Sequence, residues 1–240
     1  MISSTSNKMI KDYKKLLLKK HRQKEEQFLI EGWHLIEEAN KVGALKKIIT
    51  TKEYSLSGVE SILVSEEVIK TLSNFKTPPQ VIGVCSFIDN KINYSDNYLI
   101  LDEVQDPGNV GTIIRNALAF NFKNIVLSTG CADIYNDKVI QASQGAIFKV
   151  NILRDDVAQK IKELQEKDYI VIASSLSNAK PLSKDVVIDS KKAIILGNEG
   201  SGIREEILEL VDLTYYININ NIDSLNVASA SSILLYQFSE

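Results

Sequence analysis

At 240 residues, with 44% hydrophobic and 25% charged residues, the chain has the make-up of a soluble globular protein of one large or two small domains. It has no run of about 18 apolar residues, which excludes a transmembrane helix, and its polar, basic N-terminus lacks the apolar core of a signal peptide. Net charge is only −3, so bulk charge alone does not point to nucleic acid.

The first 90 residues read as a small mixed α/β domain. Ser6 or Asn7 can cap a helix running to about Lys20, with Ile10, Leu16 and Leu17 on its apolar side. Between Lys8 and Lys24 the chain is strongly basic, with Asp12 as the one acid. Such a cluster can neutralise phosphates, and Lys15, Lys19, Lys20 and Arg22 are its candidate phosphate contacts; a solvated helix face is the plainer alternative. FLIEG reads as a short strand ending at Gly32, Trp33 to Lys41 as a helix, and LKKIITT as a second strand. Ser65 caps a short helix through Leu72. The TPP triplet breaks the chain, and QVIGVCSFI, rich in β-branched residues, is a further strand.

The polar stretch 89–97 marks a domain boundary, and a second domain is expected over 97–240. Strand candidates are 98–102, 124–128, 146–152, 169–174, 192–197 and 213–219, with helices between them. Alternating strands and helices with nearly continuous apolar strands predict a parallel sheet covered on both faces. In such sheets ligands bind beyond the carboxyl ends of the strands. The two cysteines, Cys85 and Cys131, and the two histidines, His21 and His34, show no metal-ligand spacing. The expectation is a reduced cytoplasmic protein without metal or membrane attachment.

Three segments follow directly on strands. In LDEVQDPGNVGTIIRNALAF, Pro107, Gly108 and Asn109 read as a turn, with a helix beginning near Val110. A helix start offers backbone N–H groups to phosphate, and Arg115 can reach back with its planar fork of donors. IILGNEGSGI looks like a glycine loop, but GxxGxG is neither the dinucleotide spacing nor a P-loop. Its Glu199 would repel phosphate and suits a cationic or hydrogen-bond-donating partner. In YINININNIDSLNVASASSILLYQ, Ser224 can cap the last helix, and a buried Asn226 would need hydrogen-bond partners.

Together these segments resemble the motifs of the SpoU/TrmH family of RNA 2′-O-methyltransferases. Asn109-Val110-Gly111-Thr112-Ile113-Ile114-Arg115 resembles NVGxxxR, Leu196 to Ile203 resembles LGxEGxG plus an aliphatic residue, and Ser224-Leu225-Asn226-Val227 resembles SLNV. The first domain, above all FLIEGWHLIEEA, is similar to a substrate-binding α/β domain of ribosomal-protein type. The resemblance implies a SPOUT fold with a deep trefoil knot and a homodimer formed through the C-terminal domain. It implies S-adenosyl-L-methionine as cofactor, held mainly by backbone around Leu196, Gly197, Ile217, Ile219 and Leu225. Asn109, Arg115, Glu199, Ser224 and Asn226 match the polar residues around the reacting groups. Where members carry a proline between Ile217 and Ile219, this chain has Asn218, and the following loop is one residue shorter. The implied activity is methylation of a ribose 2′-hydroxyl in structured RNA, with rRNA favoured over tRNA by the basic first domain. A non-catalytic RNA-binding protein with the same fold is the alternative.

Overall fold

A computed structural model describes residues 1–90, 92–176 and 179–239. The chain divides into two compact units: residues 1–89 together with 133–148, and residues 90–132 together with 149–239.

In the first unit the elements run α1 (Lys8–Lys15), α2 (Lys19–Glu25), β1 (Gln27–Glu31), α3 (Trp33–Lys41), β2 (Leu45–Thr50), β3 (Glu60–Leu63), α4 (Glu66–Leu72) and β4 (Val81–Ser86). The strands form one sheet in the order β1-β4-β2-β3. Its core gathers Ile10, Ile49, Val68, Leu72 and Ile82. Ser65 caps α4 through the Val68 N–H.

The helix expected from residue 7 to Lys20 is two helices. Asn7 caps α1, accepting from the Met9 N–H. The chain then turns at Leu16–Leu18 before α2. Arg22 stabilises that break: its Nη1 donates to the carbonyls of Leu16 and Leu17, both at 2.9 Å. Its Nη2 donates to Asp133 at 2.6 Å, and the residue is 5% exposed. Arg22 is thus buried, with four of its five N–H donors on Asp133 and the two carbonyls, and it serves this structural contact instead of facing out with its lysine neighbours as the RNA-contact expectation requires. Lys15 pairs with Asp12 at 2.8 Å on the surface, and Lys19 and Lys20 are exposed.

In the second half the order is β5 (Tyr98–Asp102), α5 (Pro107–Ala119), β6 (Asn124–Leu127), α6 (Asp137–Ser143), β7 (Asn151–Arg154), α7 (Val157–Gln165), β8 (Ile170–Ser174), β9 (Lys180–Pro181), β10 (Lys192–Gly197), α8 (Glu205–Leu208), β11 (Leu213–Tyr216) and α9 (Val227–Gln237). The segment carrying α6 belongs to the first unit. Two expected strands are shorter than their apolar runs. Residues Ala146–Phe148 are a 3-10 turn, with the strand beginning only at Asn151, and β11 stops at Tyr216. An apolar run does not by itself distinguish strand from buried helical turn.

The seven strands form an all-parallel sheet in the order β7-β6-β5-β10-β8-β11-β9. Tyr98, Ile100, Val171, Ile195, Ile161 and Ile207 are among its buried core residues. β10 lies between β5 and β8, both earlier in the chain, and this late insertion is the strand order a trefoil knot calls for. Register places Gly197 beside Asp102, so the loops after β5 and β10 leave the sheet together. Among the described residues no helix is long and apolar enough to cross a membrane.

Candidate active site

The loop after β5 leads into α5 through Asp106, whose side chain accepts from the Asn109 N–H at 2.8 Å. Pro107 takes the first helical position, where its fixed φ suits a helix and its missing N–H costs nothing. Pro107, Gly108 and Asn109 are thus the first turn of the helix rather than a turn preceding it. The carboxylate of Glu199 faces the same place. It accepts from the backbone N–H groups of Gln105 (3.3 Å) and Asp106 (3.1 Å) and from Asn109 Nδ2 (3.0 Å). A phosphate at this helix start would meet two carboxylates that already hold the donors, so the phosphate-cradle expectation does not hold. The donor partners expected for Glu199 are the chain's own. Burial alone would raise the Glu199 pKa, but the hydrogen bonds from Asn109 and backbone N–H groups outweigh it and hold the carboxyl below its ordinary value.

Glu199 stands on a self-bonded loop. Asn198 and Gly202 exchange backbone hydrogen bonds of 2.9 and 3.0 Å. Asn198 Oδ1 accepts from Gly200 and Ser201 N–H, and its Nδ2 donates to the Glu103 carbonyl at 2.8 Å. Gly202 sits at φ +73, a conformation that favours glycine. Beyond the loop, Arg204 grips Asp102 through its backbone N–H, Nε and Nη2, at 2.8 to 3.1 Å. Asp102 is fully buried, and this charge-assisted clamp fixes the loop to the end of β5. Sequence reading missed Arg204, whose partner lies 102 residues away.

The third motif caps the last helix, though not through Ser224. Asn226 is the cap: its Oδ1 accepts from the N–H groups of Ala228 (2.8 Å) and Ser229 (3.3 Å). Its Nδ2 donates to Asn109 Oδ1 at 2.9 Å. One residue of each motif therefore joins a single chain, Glu199–Asn109–Asn226. Two turns along α5, Asn116 Nδ2 reaches the Ala228 carbonyl and the hydroxyls of Ser231 and Ser232, within 3.1 Å. Asn116 shares the helix stripe of Asn109, seven residues on, and that spacing was the signal for it.

Beside this chain lies a cavity of about 360 Å³ at the carboxyl ends of β8, β10 and β11. Leu196, Gly197, Ile217, Ile219 and Leu225 all line it, as do Glu199 and Ser224. Ile217 and Ile219 do so with Asn218 between them. Asn109 and Asn226 stand one and two hydrogen bonds behind Glu199. Arg115 does not line the cavity. It is exposed on α5 and makes no hydrogen bond or ion pair among the described residues.

Residues 96–236 match the model of the SpoU rRNA Methylase family, and residues 7–83 match that of the MRM3-like substrate binding domain. The chain belongs to the SpoU rRNA methylase family. Among its relatives is the 23S rRNA (guanosine(2553)-2'-O)-methyltransferase RlmP of Bacillus subtilis, 36% identical over 98% of this chain and 97% of that protein. The human mitochondrial rRNA methyltransferase 3 is 27% identical over 90% of this chain and 68% of its own length. Among solved structures, the AdoMet-bound rRNA methyltransferase from Sinorhizobium meliloti superposes with a TM-score of 0.87 at 26% identity, over 98% of this chain and 95% of that one. The match to a SpoU protein therefore runs through both units and is not confined to the parallel sheet.

Proposed function

We propose that the protein transfers the methyl group of S-adenosylmethionine to a ribose 2′-hydroxyl of rRNA. The observation that carries this reading is the cavity with the Glu199–Asn109–Asn226 chain at its side. Its volume suits a small cofactor. Leu196, Ile217, Ile219 and Leu225 offer apolar wall to an adenine. The hydroxyls of Ser174 and Ser201 offer partners to a ribose, and Asp223 suits a cation. Bound there, the cofactor supplies a methyl group activated by its positive sulfur.

The chain's own residues place and ionise the acceptor. Arg115 contacts the phosphate beside the target ribose and stabilises the forming alkoxide through its fork of N–H donors. Ser224 and Asn226 orient the hydroxyl; Glu199 holds the start of α5, and Asn109 ties that start to Asn226 at the start of α9. Holding two reactants in line supplies several kcal/mol of the barrier, roughly 7–11 in the best cases. Lys15, Lys19 and Lys20 meet RNA phosphates from the first unit. The rRNA target is supported by the named activity of the Bacillus subtilis relative, and a cytoplasmic location goes with it. Mapping of 2′-O-methyl groups in total RNA, with and without the protein, should show one rRNA nucleotide that depends on it. A dependent tRNA nucleotide would overturn the rRNA target, and no dependent site would overturn the activity.

The working form in this reading is a homodimer through the second unit. Ile233 and Tyr236 on α9 are 41% and 72% exposed, and Tyr236 packs edge-on to Phe120, a continuous apolar face suited to a second copy. Sedimentation should give twice the 26.8 kDa chain mass, and Tyr236→Glu should halve it. A monomeric native protein would overturn this part.

A further inference from the structure

The walls of the cavity carry two acids, Glu199 and Asp223, and no lysine, arginine or histidine among the described residues. The two acids are not equivalent. Both oxygens of Glu199 are taken by Gln105, Asp106 and Asn109. Asp223 makes no hydrogen bond or ion pair among the described residues and is exposed. It lines the cavity, one residue before Ser224, which lines it too.

The ligand of this cavity, on the reading above, changes charge during the reaction. S-adenosylmethionine carries a sulfonium and an ammonium against one carboxylate. Transfer forms the O–CH₃ bond and breaks the S–CH₃ bond. The electron pair stays on sulfur, leaving a neutral thioether, and the hydroxyl proton goes to solvent. The product S-adenosylhomocysteine keeps the ammonium and the carboxylate but has lost the positive sulfur.

We propose that Asp223 is a specificity residue that faces the sulfonium and selects the charged cofactor over the neutral product. This inference rests on the methyltransferase reading of the cavity. A free carboxylate in a partly enclosed site attracts a cation more strongly than in bulk water. Once the sulfur is neutral that attraction is gone, and the spent cofactor leaves more readily. Glu199 cannot serve in this way, because its oxygens already hold the start of α5.

Calorimetry on the full-length protein tests the assignment with three probes: S-adenosylmethionine, S-adenosylhomocysteine and the cationic amine analogue sinefungin. In Asp223→Asn the affinity for the two probes cationic at the sulfur position should fall about fivefold, while that for S-adenosylhomocysteine moves less than twofold. Asp223→Glu should restore most of the difference. Raising the salt concentration should narrow the gap in the native protein and not in Asp223→Asn. Equal losses for all three probes, as contact with the ammonium or a purely structural role would give, overturn the assignment, and so does no loss. A native protein that binds none of the three overturns the methyltransferase reading itself. The variant surface is exposed, so an unchanged melting curve is expected and confirms that the comparison is between folded proteins.

Discussion

In Arg115→Ala, methyl transfer is lost by at least about 100-fold, the scale of removing one donor that stabilises a developing oxyanion, while S-adenosylmethionine binds as in the native protein. The split between the two readouts follows from position. Arg115 is exposed, lines no part of the cavity, and makes no hydrogen bond or ion pair among the described residues. Its removal leaves no buried partner unpaired, so stability should stay within about 0.5 kcal/mol. The helix that carries it is fixed from elsewhere, by Asp106 and Glu199 at its start and by Asn116 against α9. What the substitution deletes is a planar fork of donors held on a rigid helix. Arg115→Lys keeps the charge but not the fork and should recover only a small part of the rate. Turnover of Arg115→Ala within fivefold of native, or cofactor affinity lost in step with turnover, would remove Arg115 from the reacting centre.

The parallel sheet was legible in the sequence because its strands are short apolar runs ending in turn formers. The motifs were legible because the three together, in order and spacing, resemble those of the family; each alone was no more than a strand followed by a turn or helix start. What the sequence could not display were partnerships across long separations. Arg22 lies in a basic run and reads as a phosphate contact, yet its partner Asp133 is 111 residues away. The same guanidinium breaks the first helix, which hydrophobic spacing alone would continue. Glu199 looked like an acid awaiting an outside donor, and its donors sit 90 to 94 residues upstream. Two local signals were present and misread. Asp106 followed by Pro107 marks a helix start, but Pro-Gly-Asn has turn composition and masked it. Asn226 is as good a cap as Ser224, and only the position of the first helical N–H decides between them. The strand β3 is short and half exposed, with little apolar pattern to betray it. The grouping of residues 133–148 with the first unit has no signature in linear order at all.

The second large effect expected is at Gly197. A Cβ built there would lie 2.3 Å from the Gly202 carbonyl carbon, 2.3 Å from the Ile203 nitrogen and 2.5 Å from the Gly202 oxygen. All three are backbone atoms, so no side-chain rotation relieves the contact. The backbone it meets is held on three sides. Gly202 exchanges hydrogen bonds with Asn198, Ile203 is 6% exposed in the core, and Arg204 is clamped to Asp102. In Gly197→Ala the loop has to move as a body, and with it the wall of the cavity and the carboxylate of Glu199. Overpacking of this kind costs about 1–3 kcal/mol. For a chain of this size that lowers the melting temperature by roughly 2–4 °C per kcal/mol. S-adenosylmethionine affinity should fall by more than tenfold, because the loop that shifts carries a large share of the lining. Gly200→Ala is the control for the thermal readout. Its Cβ would meet only Asn198 Oδ1, at an ordinary 3.6 Å, so its melting temperature should match the native protein. If Gly197→Ala bound the cofactor within twofold of native, the close approach of the two loop backbones would not be what shapes the site. The requirement for glycine would then have to come from elsewhere. The tight packing predicts the opposite: the first glycine of the GxxGxG loop is there so that residues 202 and 203 can lie against it.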